Sequence, residues 1–513
     1  MKCDIVVSKV NESTVFVDCN SSICQELSTY FSAFVDNHKF IPSVRQGRWD
    51  GKIRAFDSNT NHLPIGLLNT LKEFCIKGKY TLKIEFTIKE QIDLNTFKQF
   101  IDGLKITDDK GNPMTPRDFQ LQAAYEAICN KHLNIDSSTG SGKSLIIYII
   151  TKWLLTQNKK IFIVVPSVAL VEQLVQDFYE YGWKECDDKI CRVYAGQKRL
   201  MKRPIIISTW QSLFDNDEEL SKIEALIIDE AHGQSGTSKA FANVAKKSIN
   251  AEYRIGLSGS MPKNGTADWL TTVGATGPIT IFSTYKKLQD ANQLSKLKIK
   301  MIILEYPNVM RQENYKENQS NYSNESDYIN GLLERNIFIK KLTQQLKGNT
   351  LIFFQKKTKH GYILHKELKT LIDKKVIYVD GDNKDLNHIR QYIENNDNCV
   401  LLGSNVLVTG INIKRIHNII FAQIGKSDKK IKQALGRGLR LYSDKEYLNV
   451  FDIVDDVKIK VKYIDTNQNE RWKTYINYSL RHAKERNNIY KSLGFDVEQL
   501  KYQIKQYKKI STH

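Results

Sequence analysis

A short run of glycine and hydroxyl residues, placed just before a predicted helix, is suited to binding phosphate. It consists of Ser138, Thr139, Gly140, Ser141, Gly142, Lys143 and Ser144. Glycines allow a loop whose backbone N–H groups surround phosphate oxygens, and the helix N-terminus that follows favours negative charge. Lys143 would reach the β- and γ-phosphates of a nucleotide, and Ser144 would bind Mg²⁺. The usual pattern starts with glycine where this chain has Ser137, and a flexible loop before a helix is the alternative interpretation.

Two adjacent carboxylates follow an apolar segment that is predicted to be a buried strand. Asp229 and Glu230 come directly after Ala225–Ile228 and precede Ala231 and His232. Phosphoryl transfer needs a carboxylate that binds the metal and a group that orients or deprotonates the attacking water. Asp229 suits the first role and Glu230 the second. Carboxylates at strand ends also cap helices or lie in loops, but the position downstream of the phosphate loop favours chemistry.

Two smaller groups of residues would complete a nucleotide site. Gln120 carries both a donor and an acceptor and would read the edge of adenine, while Arg117 or Phe119 would flank the base. Another predicted strand is followed by small residues, namely Ser258, Gly259 and Ser260. Their hydroxyl groups would relay the state of the nucleotide through hydrogen bonds. Taken alone, the first group is compatible with a solvent-exposed helix start and the second with a simple turn.

A string far along the chain supplies arginines at helical spacing. It consists of Gln433, Ala434, Leu435, Gly436, Arg437, Gly438, Leu439 and Arg440. Arg437 and Arg440 are placed at i and i+3 and therefore share one face of a helix. Together with Gln433 they would act on the γ-phosphate of a nucleotide held by another domain, where arginine stabilises the charge of the transition state. A solvated basic helix face is the alternative.

Turns at the ends of predicted strands would contact a nucleic-acid backbone. Hydroxyl and backbone N–H groups in such turns bind phosphodiester oxygens. In the first half of the chain the candidates are Pro166, Ser167, Thr209, Trp210 and Gln211. In the second half they are Thr409, Gly410 and Asn412. Each is also compatible with an ordinary loop.

Positive charge and an aromatic residue are concentrated near the N-terminus. The residues are Arg45, Arg48, Trp49, Lys52 and Arg54. The basic side chains would bind DNA phosphates, and Trp49 would stack on a base or wedge into a junction. The alternative for Trp49 is a core position under a basic hairpin, because tryptophan is large.

The elements that must position these residues fall into five regions. They are an N-terminal accessory domain at 1–90, a linker at 91–113, α/β domains at 114–283 and 284–461, and a helical region at 462–513. In both central regions short β-branched runs alternate with longer helical ones, which predicts parallel sheets with flanking helices. The polar segment Tyr306–Asn330 has no clear core face and is expected on the surface.

Charge and composition favour a polyanionic partner. The 513 residues include 76 Lys and Arg against 57 Asp and Glu, which gives a net charge of +19. Such an excess favours nucleic acid, since each neutralised phosphate releases counterions, although a basic surface kept for solubility is the alternative. The eight cysteines form no CxxC pair, which indicates a reduced cytoplasmic protein rather than a disulfide framework or zinc site. We expect neither a signal peptide nor a membrane span.

Taken in order, the motifs resemble those of superfamily 2 helicases. The matching strings are RDFQ, STGSGKS, VVPS, STWQ, DEAH, GLSGS, LIFFQ, VTGIN and QALGRGLR, between residues 114 and 461. Other strings, such as FIPSVRQGRWDGKIRAFD at 40–57 and YINYSLRHAKER at 475–486, resemble bacteriophage recombination helicases. The resemblance implies two tandem RecA-like P-loop domains with ATP and Mg²⁺ between them, a small α+β N-terminal domain and a helical C-terminal tail. It also implies that His232 and Ser258–Ser260 couple hydrolysis to strand movement.

The function implied by the resemblance is ATP-dependent remodelling of branched DNA. Forks, Holliday junctions, D-loops and R-loops would be its substrates in phage recombination, repair and replication restart, and the protein would act as a monomer in the host bacterial cytoplasm. An RNA helicase or a non-unwinding duplex translocase is the first alternative. Leu439 stands where RNA helicases usually carry glycine, which favours DNA. A binding protein with an inactive ATPase would lack Lys143, Glu230, Arg437 or Arg440, and all four are present.

Overall fold

Short runs rich in isoleucine and valine form buried strands in this chain. The strands Ile161–Val165 and Ile205–Thr209 are buried at every position, which is typical of parallel sheets covered by helices on both faces. The chain divides into two compact units, Met1–Ser283 and Thr284–His513. The computed structural model describes residues 3–194, 203–209, 212, 217–232, 238–318, 321–380, 386–404, 413–423, 425–464, 466 and 469–505.

The first unit consists of a small N-terminal layer and a larger α/β layer. Its described strands are β1 Ile5–Lys9, β2 Thr14–Cys19, β3 Ser32–Phe34, β4 Lys52–Arg54, β5 His62–Pro64, β6 Leu82–Ile84, β7 His132–Ser137, β8 Ile161–Val165, β9 Ile190–Val193, β10 Ile205–Thr209, β11 Ala225–Asp229, β12 Tyr253–Ser258 and β13 Ile279–Ser283. Its described helices are α1 Ser21–Tyr30, α2 Pro42–Arg45, α3 Leu68–Gly78, α4 Leu94–Gly103, α5 Asp118–Asn130, α6 Lys143–Thr156, α7 Val168–Glu180, α8 Cys186–Lys189, α9 Asp217–Ser221, α10 Ser238–Lys247 and α11 Ala267–Thr276. Short 3-10 turns span His38–Phe40 and Ile65–Leu67.

The central sheet of the first unit brings the predicted chemical residues to one edge. Its strand order is β13-β7-β12-β11-β8-β10-β9, and neighbouring strands are parallel. Strands β7, β10, β11 and β12 end at Ser137, Thr209, Asp229 and Ser258. The carboxyl edge of such a sheet is where α/β proteins bind ligands.

The N-terminal layer is packed into the first unit rather than held apart from it. Leu270 and Val273 of α11 belong to the same hydrophobic core as Val7 and Leu67. The buried guanidinium of Arg254 on β12 reinforces this packing. It donates to the carbonyls of Glu12, Ala245, Ser248, Ala251 and Ala275. Burial lowers the pKa of Arg254 to about 10.

Replacing Arg254 with methionine should destabilise the first unit strongly. Methionine fills a similar volume but leaves buried carbonyl groups without donors, and each such group costs about 1–3 kcal/mol. We expect a loss of about 3 kcal/mol or more in the free energy of unfolding, measured by urea denaturation. The exposed Arg54, which pairs with Asp50 on the surface, is the matched control, and Arg54→Met should leave the denaturation midpoint unchanged. Equal midpoints for the two variants would contradict the proposed role of Arg254.

The segment predicted as a linker contains a helix that packs on the core. Asp93 caps α4 by accepting from the backbone N–H of Thr96, and Phe97 of this helix is buried against Tyr125 and Trp153. The helix was missed because its exposed faces are polar and only one position is fully buried. The segment 91–113 therefore belongs in part to the α/β layer.

The second unit is built around another parallel sheet. Its described strands are β14 Lys296–Glu305, β15 Thr350–Phe353, β16 Val376–Val379, β17 Val400–Gly403, β18 Asn418–Phe421, β19 Tyr447–Asp456, β20 Ile459–Ile464, β21 Glu470–Tyr475 and β22 Val497–Gln503. Its described helices are α12 Tyr285–Asp290, α13 Asn308–Asn318, α14 Tyr322–Gly331, α15 Leu333–Gln345, α16 Tyr362–Leu368, α17 Leu386–Asn395, α18 Asp428–Gly438 and α19 Tyr478–Ser492, with a π-helical turn at Lys357–Gly361. The sheet order is β16-β17-β15-β18-β19-β14-β22. The prediction of two parallel α/β sheets with flanking helices is confirmed.

The C-terminal region differs from the mostly helical segment that the sequence indicates. It contains one helix, α19, between the strands β21 and β22, and β22 adds to the main sheet beside β14. Ile476 precedes α19 and is exposed, whereas Ala483, Arg486 and Tyr490 are buried. Arg486 and Tyr490 bind the buried carboxylate of Asp452, so a polar contact rather than an apolar stripe holds this helix.

The polar segment expected on the surface forms the helices α13 and α14. These helices bury Asn314, Glu325 and Asn330. Asn330 donates to Gln423 Oε1 at 2.7 Å, and Glu325 accepts from the backbone N–H of Ser479 at 3.1 Å. Hydrophobic periodicity could not reveal these helices, because their inward faces are polar.

No helix within the described ranges has both the length and the apolar character required to cross a bilayer. The apolar run that begins at Leu145 lies in α6, where it is buried on nearly all sides.

Candidate nucleotide site and nucleic-acid contacts

The phosphate-binding run forms a tight loop between β7 and α6. Gly140 and Gly142 have φ angles of 88° and 82°, values that glycine adopts without steric cost. A side chain at Gly142 would collide with Gln120 Nε2. The two glycines are therefore required by the path of the loop, as the motif predicts.

Ser137 explains why the loop tolerates the missing first glycine. This residue ends β7 and does not have a positive φ angle. Its hydroxyl donates to Ser141 Oγ at 2.7 Å and forms a hydrogen bond of 2.8 Å with Ser283 Oγ. Serine at this position lacks the conformational freedom of glycine but forms two hydrogen bonds, one within the loop to Ser141 and one to Ser283 of β13.

Gln120 braces the loop from the start of α5. Its Nε2 donates to the carbonyl of Ser141 at 2.8 Å and to that of Gly142 at 3.3 Å, and its Oε1 accepts from the backbone N–H of Arg117 at 2.8 Å. Gln120 is buried, whereas Arg117 is half-buried and Phe119 packs against the core. The amide of Gln120 is thus engaged by the loop, and recognition of adenine by these residues stays a prediction.

Lys143, Asp229 and Glu230 lie together at the carboxyl edge of the sheet. Lys143 Nζ is 3.7 Å from Glu230 Oε1. Desolvation and the neighbouring charge of Glu230 raise the pKa of Asp229 to about 7. Glu230 has a φ angle of 54°, which is uncommon for a residue other than glycine and is found at functional sites. The arrangement gathers two carboxylates and one cation beside the glycine-rich loop.

Two serine hydroxyl groups fit the requirements of a nucleotide with Mg²⁺. Ser144, at the start of α6, forms a hydrogen bond of 2.8 Å with the hydroxyl of Tyr181. Ser138 Oγ is buried and has no hydrogen-bond partner among the described residues, so a bound phosphate oxygen would satisfy it. Sequence reasoning missed Tyr181, because a single tyrosine at the end of a helix carries no motif.

His232 links the carboxylate pair to the end of β12. Its Nδ1 is 2.7 Å from Ser258 Oγ and 3.1 Å from Glu230 Oε2. Ser258 donates to Glu230 Oε2 at 3.3 Å, and the backbone N–H of Ser260 donates to Ser258 Oγ at 3.0 Å. The residues predicted to couple hydrolysis to movement therefore form one hydrogen-bond network with Glu230.

Gly259 lies against the phosphate loop. A Cβ atom at this position would be 2.9 Å from the backbone nitrogen of Thr139 and 3.2 Å from the carbonyl oxygen of Ser137. Both neighbours are backbone atoms, so the loop itself would have to move. Glycine at this position permits the close approach of the two motifs.

Substituting Gly259 with alanine should weaken ATP binding, because the displaced loop presents its N–H groups poorly. We expect about a tenfold rise in the dissociation constant for ATP, which corresponds to about 1.4 kcal/mol. Gly103, whose Cβ position is open, provides the matched control Gly103→Ala. Unchanged ATP affinity in Gly259→Ala, measured by titration calorimetry, would contradict this account.

The predicted arginines lie at the end of α18 in the second unit. Gln433, Arg437 and Arg440 are half-buried. Lys445 is buried beside them and donates to the carbonyl of Gly438 at 2.7 Å. Burial and the charge of Arg440 lower the pKa of Lys445 to about 7. The action of these arginines on a nucleotide held by the first unit stays a prediction.

Some of the predicted backbone-binding residues are placed by the structure. Pro166 and Ser167 follow β8 and are half-buried, and Ser167 begins α7 without a side-chain cap hydrogen bond. Thr209 ends β10 and is buried, with its hydroxyl 2.9 Å from Ser212 Oγ. The remaining candidates lie outside the described residues, namely Trp210, Gln211, Thr409, Gly410 and Asn412.

The N-terminal basic cluster is an exposed surface with aromatic residues that sequence reasoning missed. Arg45 and Arg48 are exposed, and Arg45 lies over the ring of Phe40, which is 69% exposed. Lys52 lies over the ring of Phe34. Trp49 is half-buried and donates its ring N–H to the carbonyl of Lys52. A lone phenylalanine beside a basic run gave no signal in the sequence, and the exposed phenylalanines are better placed to meet a base than Trp49.

Comparison with known proteins covers 96% of the chain. Residues 4–85 match the family model for the N-terminal region of DNA helicase UvsW, 113–263 match that of the type III restriction enzyme res subunit, and 333–442 match the helicase conserved C-terminal domain. The ATP-dependent DNA helicase UvsW of Enterobacteria phage T4 is 31% identical over 508 residues, which cover 96% of this chain and 98% of the T4 protein.

Solved structures agree with the sequence comparison. The crystal structure of T4 UvsW matches 98% of this chain and 100% of its own chain, with a TM-score of 0.51 and 28% identity. The ATP-dependent type ISP restriction–modification enzyme LlaBIII, solved bound to DNA, matches 76% of this chain and 32% of its own, with a TM-score of 0.54 and 14% identity. The second likeness shows the fold alone. The chain is a superfamily 2 helicase with tandem RecA-like domains and belongs to the UvsW family.

Proposed function

We propose that this protein is an ATP-driven DNA helicase that remodels forks, Holliday junctions, D-loops and R-loops during phage recombination, repair and replication restart. The observation that supports the proposal best is the network at the carboxyl edge of the first sheet. There Lys143, Glu230, His232 and Ser258 are joined by contacts of 3.7 Å or less. The T4 relative is named as an ATP-dependent DNA helicase, which is consistent with the proposal.

Hydrolysis of ATP would use residues of both units. The loop from Thr139 to Gly142 would hold the phosphates through backbone N–H groups, and Lys143 would pair with the β- and γ-phosphates. When bound, Mg²⁺ would neutralise charge on the phosphate oxygens, and Ser144 and Asp229 would hold it. Glu230 would orient the attacking water and accept its proton. Arg437 and Arg440, with Gln433, would stabilise the transition state from the second unit.

The state of the nucleotide would reach the nucleic acid through the serines after β12. Ser258 contacts both His232 and Glu230. A change in the position or protonation of Glu230 would therefore alter the hydrogen bonds of Ser258 and Ser260. Because Gly259 touches the phosphate loop, the same segment would sense whether the loop is filled.

The nucleic acid would contact basic and turn residues of both units. We assign backbone contacts to Pro166, Ser167, Thr209, Trp210, Gln211, Thr409, Gly410 and Asn412, and junction contacts to Arg45, Arg48, Trp49, Lys52 and Arg54. The net charge of +19 supports a polyanionic partner. We place the protein, as a monomer, in the cytoplasm of the bacterial host, with single-stranded, double-stranded and RNA–DNA hybrid segments as its partners.

The N-terminal surface should contribute to binding of branched DNA more than to hydrolysis. Deleting residues 1–90 would expose the core shared with α11, so point variants are the sharper test. We expect Arg45→Ala combined with Arg48→Ala to weaken fork binding by about tenfold while ATP turnover at saturating DNA changes by less than about twofold, because phosphate contacts act on affinity. Lys79→Ala, an exposed change at the end of α3, serves as the control. Unchanged fork affinity would limit this surface to a structural role.

ATP turnover with different nucleic acids tests the proposed function directly. Turnover should rise most with forked DNA, less with single-stranded DNA and least with RNA, all at one salt concentration because salt alone shifts such affinities. Stronger stimulation by RNA would favour an RNA helicase. Stimulation by duplex DNA without strand separation would favour a translocase, and no stimulation would leave only a binding role.

A further inference from the structure

Two strands of the second unit form a hairpin outside the main sheet. In the described part of the chain β20 and β21 pair only with each other, in antiparallel register, with Lys462 opposite Trp472 and Tyr463 opposite Arg471. Because side chains alternate between the faces of a strand, one face carries Trp472 with Lys460 and Lys462. The other face carries Tyr463 with Arg471 and Lys473. The first face thus combines one aromatic ring with two cations, and the second combines two cations with Tyr463 and, at the base of the hairpin, Tyr475.

Three large apolar residues of this hairpin are exposed to solvent. Trp472 is 64% exposed, Ile464 is 71% exposed and Tyr463 is 43% exposed. Lysines on exposed strands are explained by the need to prevent edge-to-edge aggregation. That need does not explain a tryptophan and an isoleucine on the same strands, since both increase aggregation. Exposed apolar groups surrounded by charge mark a contact surface.

The base of the hairpin is fixed to the helices α13 and α14. The ring of Tyr475 lies 5.3 Å from that of Tyr315, and its hydroxyl donates to the buried carboxylate of Glu325 at 3.2 Å. Arg311 donates to the carbonyl of Lys458 at 3.3 Å. An isolated two-stranded hairpin is only marginally stable in water. These contacts anchor the base of the β20–β21 hairpin to the polar helices α13 and α14 and thereby stabilise the hairpin.

Charge identifies the kind of partner that this surface fits. Residues 458–475 contain five Lys and Arg residues against two Asp and Glu residues. Lys462 lies over the ring of Trp472 and pairs with Glu470. Lys460, Lys462, Arg471 and Lys473 are all exposed. A basic surface with open aromatic rings is the arrangement that binds unpaired bases and their phosphates without regard to sequence.

We infer that the hairpin β20–β21 is a binding site for single-stranded nucleic acid. A base would stack on Trp472 beside Lys460, and the backbone would cross the edge of the hairpin at β21, so that its phosphates bind Lys460 and, on the opposite face, Arg471 and Lys473. The inference rests on the proposed function, because a helicase must contact strands that it has separated. The hairpin lies outside the helicase motifs, so it would add a further nucleic-acid contact to those proposed for the motif residues.

Binding of a single-stranded oligonucleotide that contains 2-aminopurine tests this inference in the full chain. Fluorescence anisotropy reports affinity, and quenching of 2-aminopurine reports stacking. We expect Trp472→Ala to weaken binding by about tenfold and to reduce quenching, because stacking on an aromatic ring contributes about 1–3 kcal/mol per base. Trp472→Phe should restore most of both signals. Tyr502→Ala, which removes a ring that is 45% exposed on β22 of the same unit, should change neither.

A second pair of changes tests the phosphate contacts. Lys460→Gln combined with Lys473→Gln should reduce the slope of log affinity against log salt concentration by about 1.4, since each phosphate contact to a single strand contributes about 0.7. If wild-type protein binds and is stimulated by DNA while Trp472→Ala keeps full affinity and quenching, the hairpin inference is wrong. If wild-type protein shows neither DNA binding nor stimulation, the proposed function itself fails.

Discussion

Replacing Glu230 with glutamine should lower ATP turnover by about 100- to 10,000-fold, the range that general base catalysis contributes. Glutamine keeps the size and the hydrogen-bond acceptor of glutamate but cannot take the proton of the attacking water. The contacts of Glu230 with Lys143, His232 and Ser258 would be weakened but not lost. We therefore expect ATP and DNA to bind the variant with nearly normal affinity. Single-turnover hydrolysis of labelled ATP measures the defect separately from binding.

The matched control for this prediction is Glu218→Gln, which changes an exposed carboxylate on α9 that pairs with Lys222. Its turnover should equal that of the wild type. Lys143→Ala should also abolish hydrolysis, but with a loss of ATP affinity, because this lysine contacts the phosphates in the ground state. Retained turnover in Glu230→Gln would show that the general base lies elsewhere.

Replacing Arg437 with alanine should reduce turnover by about 1,000-fold or more, which is the contribution of an arginine finger to phosphoryl transfer. The loss should appear in the rate of hydrolysis and only modestly in ATP affinity, because the guanidinium acts on charge that develops in the transition state. Arg437→Lys should recover little, since an ammonium group lacks the planar fork of donors.

Lys426→Ala removes an exposed charge just before α18 that pairs with Glu485, and it should leave turnover unchanged. Rapid-quench measurement of the hydrolysis step, together with equilibrium binding of ATP, separates the two effects. A defect confined to ATP affinity would show that Arg437 binds nucleotide without acting on the transition state.

The sequence predicted the sheets and the site because the strands and motifs are local patterns. Runs rich in β-branched residues, such as Ile161–Val165, predict buried strands of a parallel sheet. The carboxyl ends of parallel strands must share one edge of that sheet. Once the strands are known, Ser137, Asp229 and Ser258 are brought together without further information. The gathering of Lys143, Glu230 and His232 follows from the same rule.

What the sequence did not predict depends on contacts between distant residues. Tyr181 reaches Ser144, and Ser283 reaches Ser137, yet no spacing rule joins these pairs. The helices α13 and α14 were missed because buried Glu325 and Asn330 obtain their partners from segments about 100 or more residues away. The predicted boundary between 461 and 462 falls inside β20, and the sequence assigns β21 to a helical tail, because the lysines and aromatic residues of the hairpin show no apolar face.

Strand separation of a synthetic Holliday junction by the purified protein is the most direct test of the proposed function. With ATP and Mg²⁺ the wild-type protein should convert the junction to forked products, while a non-hydrolysable ATP analogue, Glu230→Gln or Arg437→Ala should give none. A fork and an RNA–DNA loop run at the same salt concentration define the preference among substrates. If wild-type protein hydrolyses ATP in the presence of these substrates but leaves all of them intact, remodelling of branched DNA is not its function.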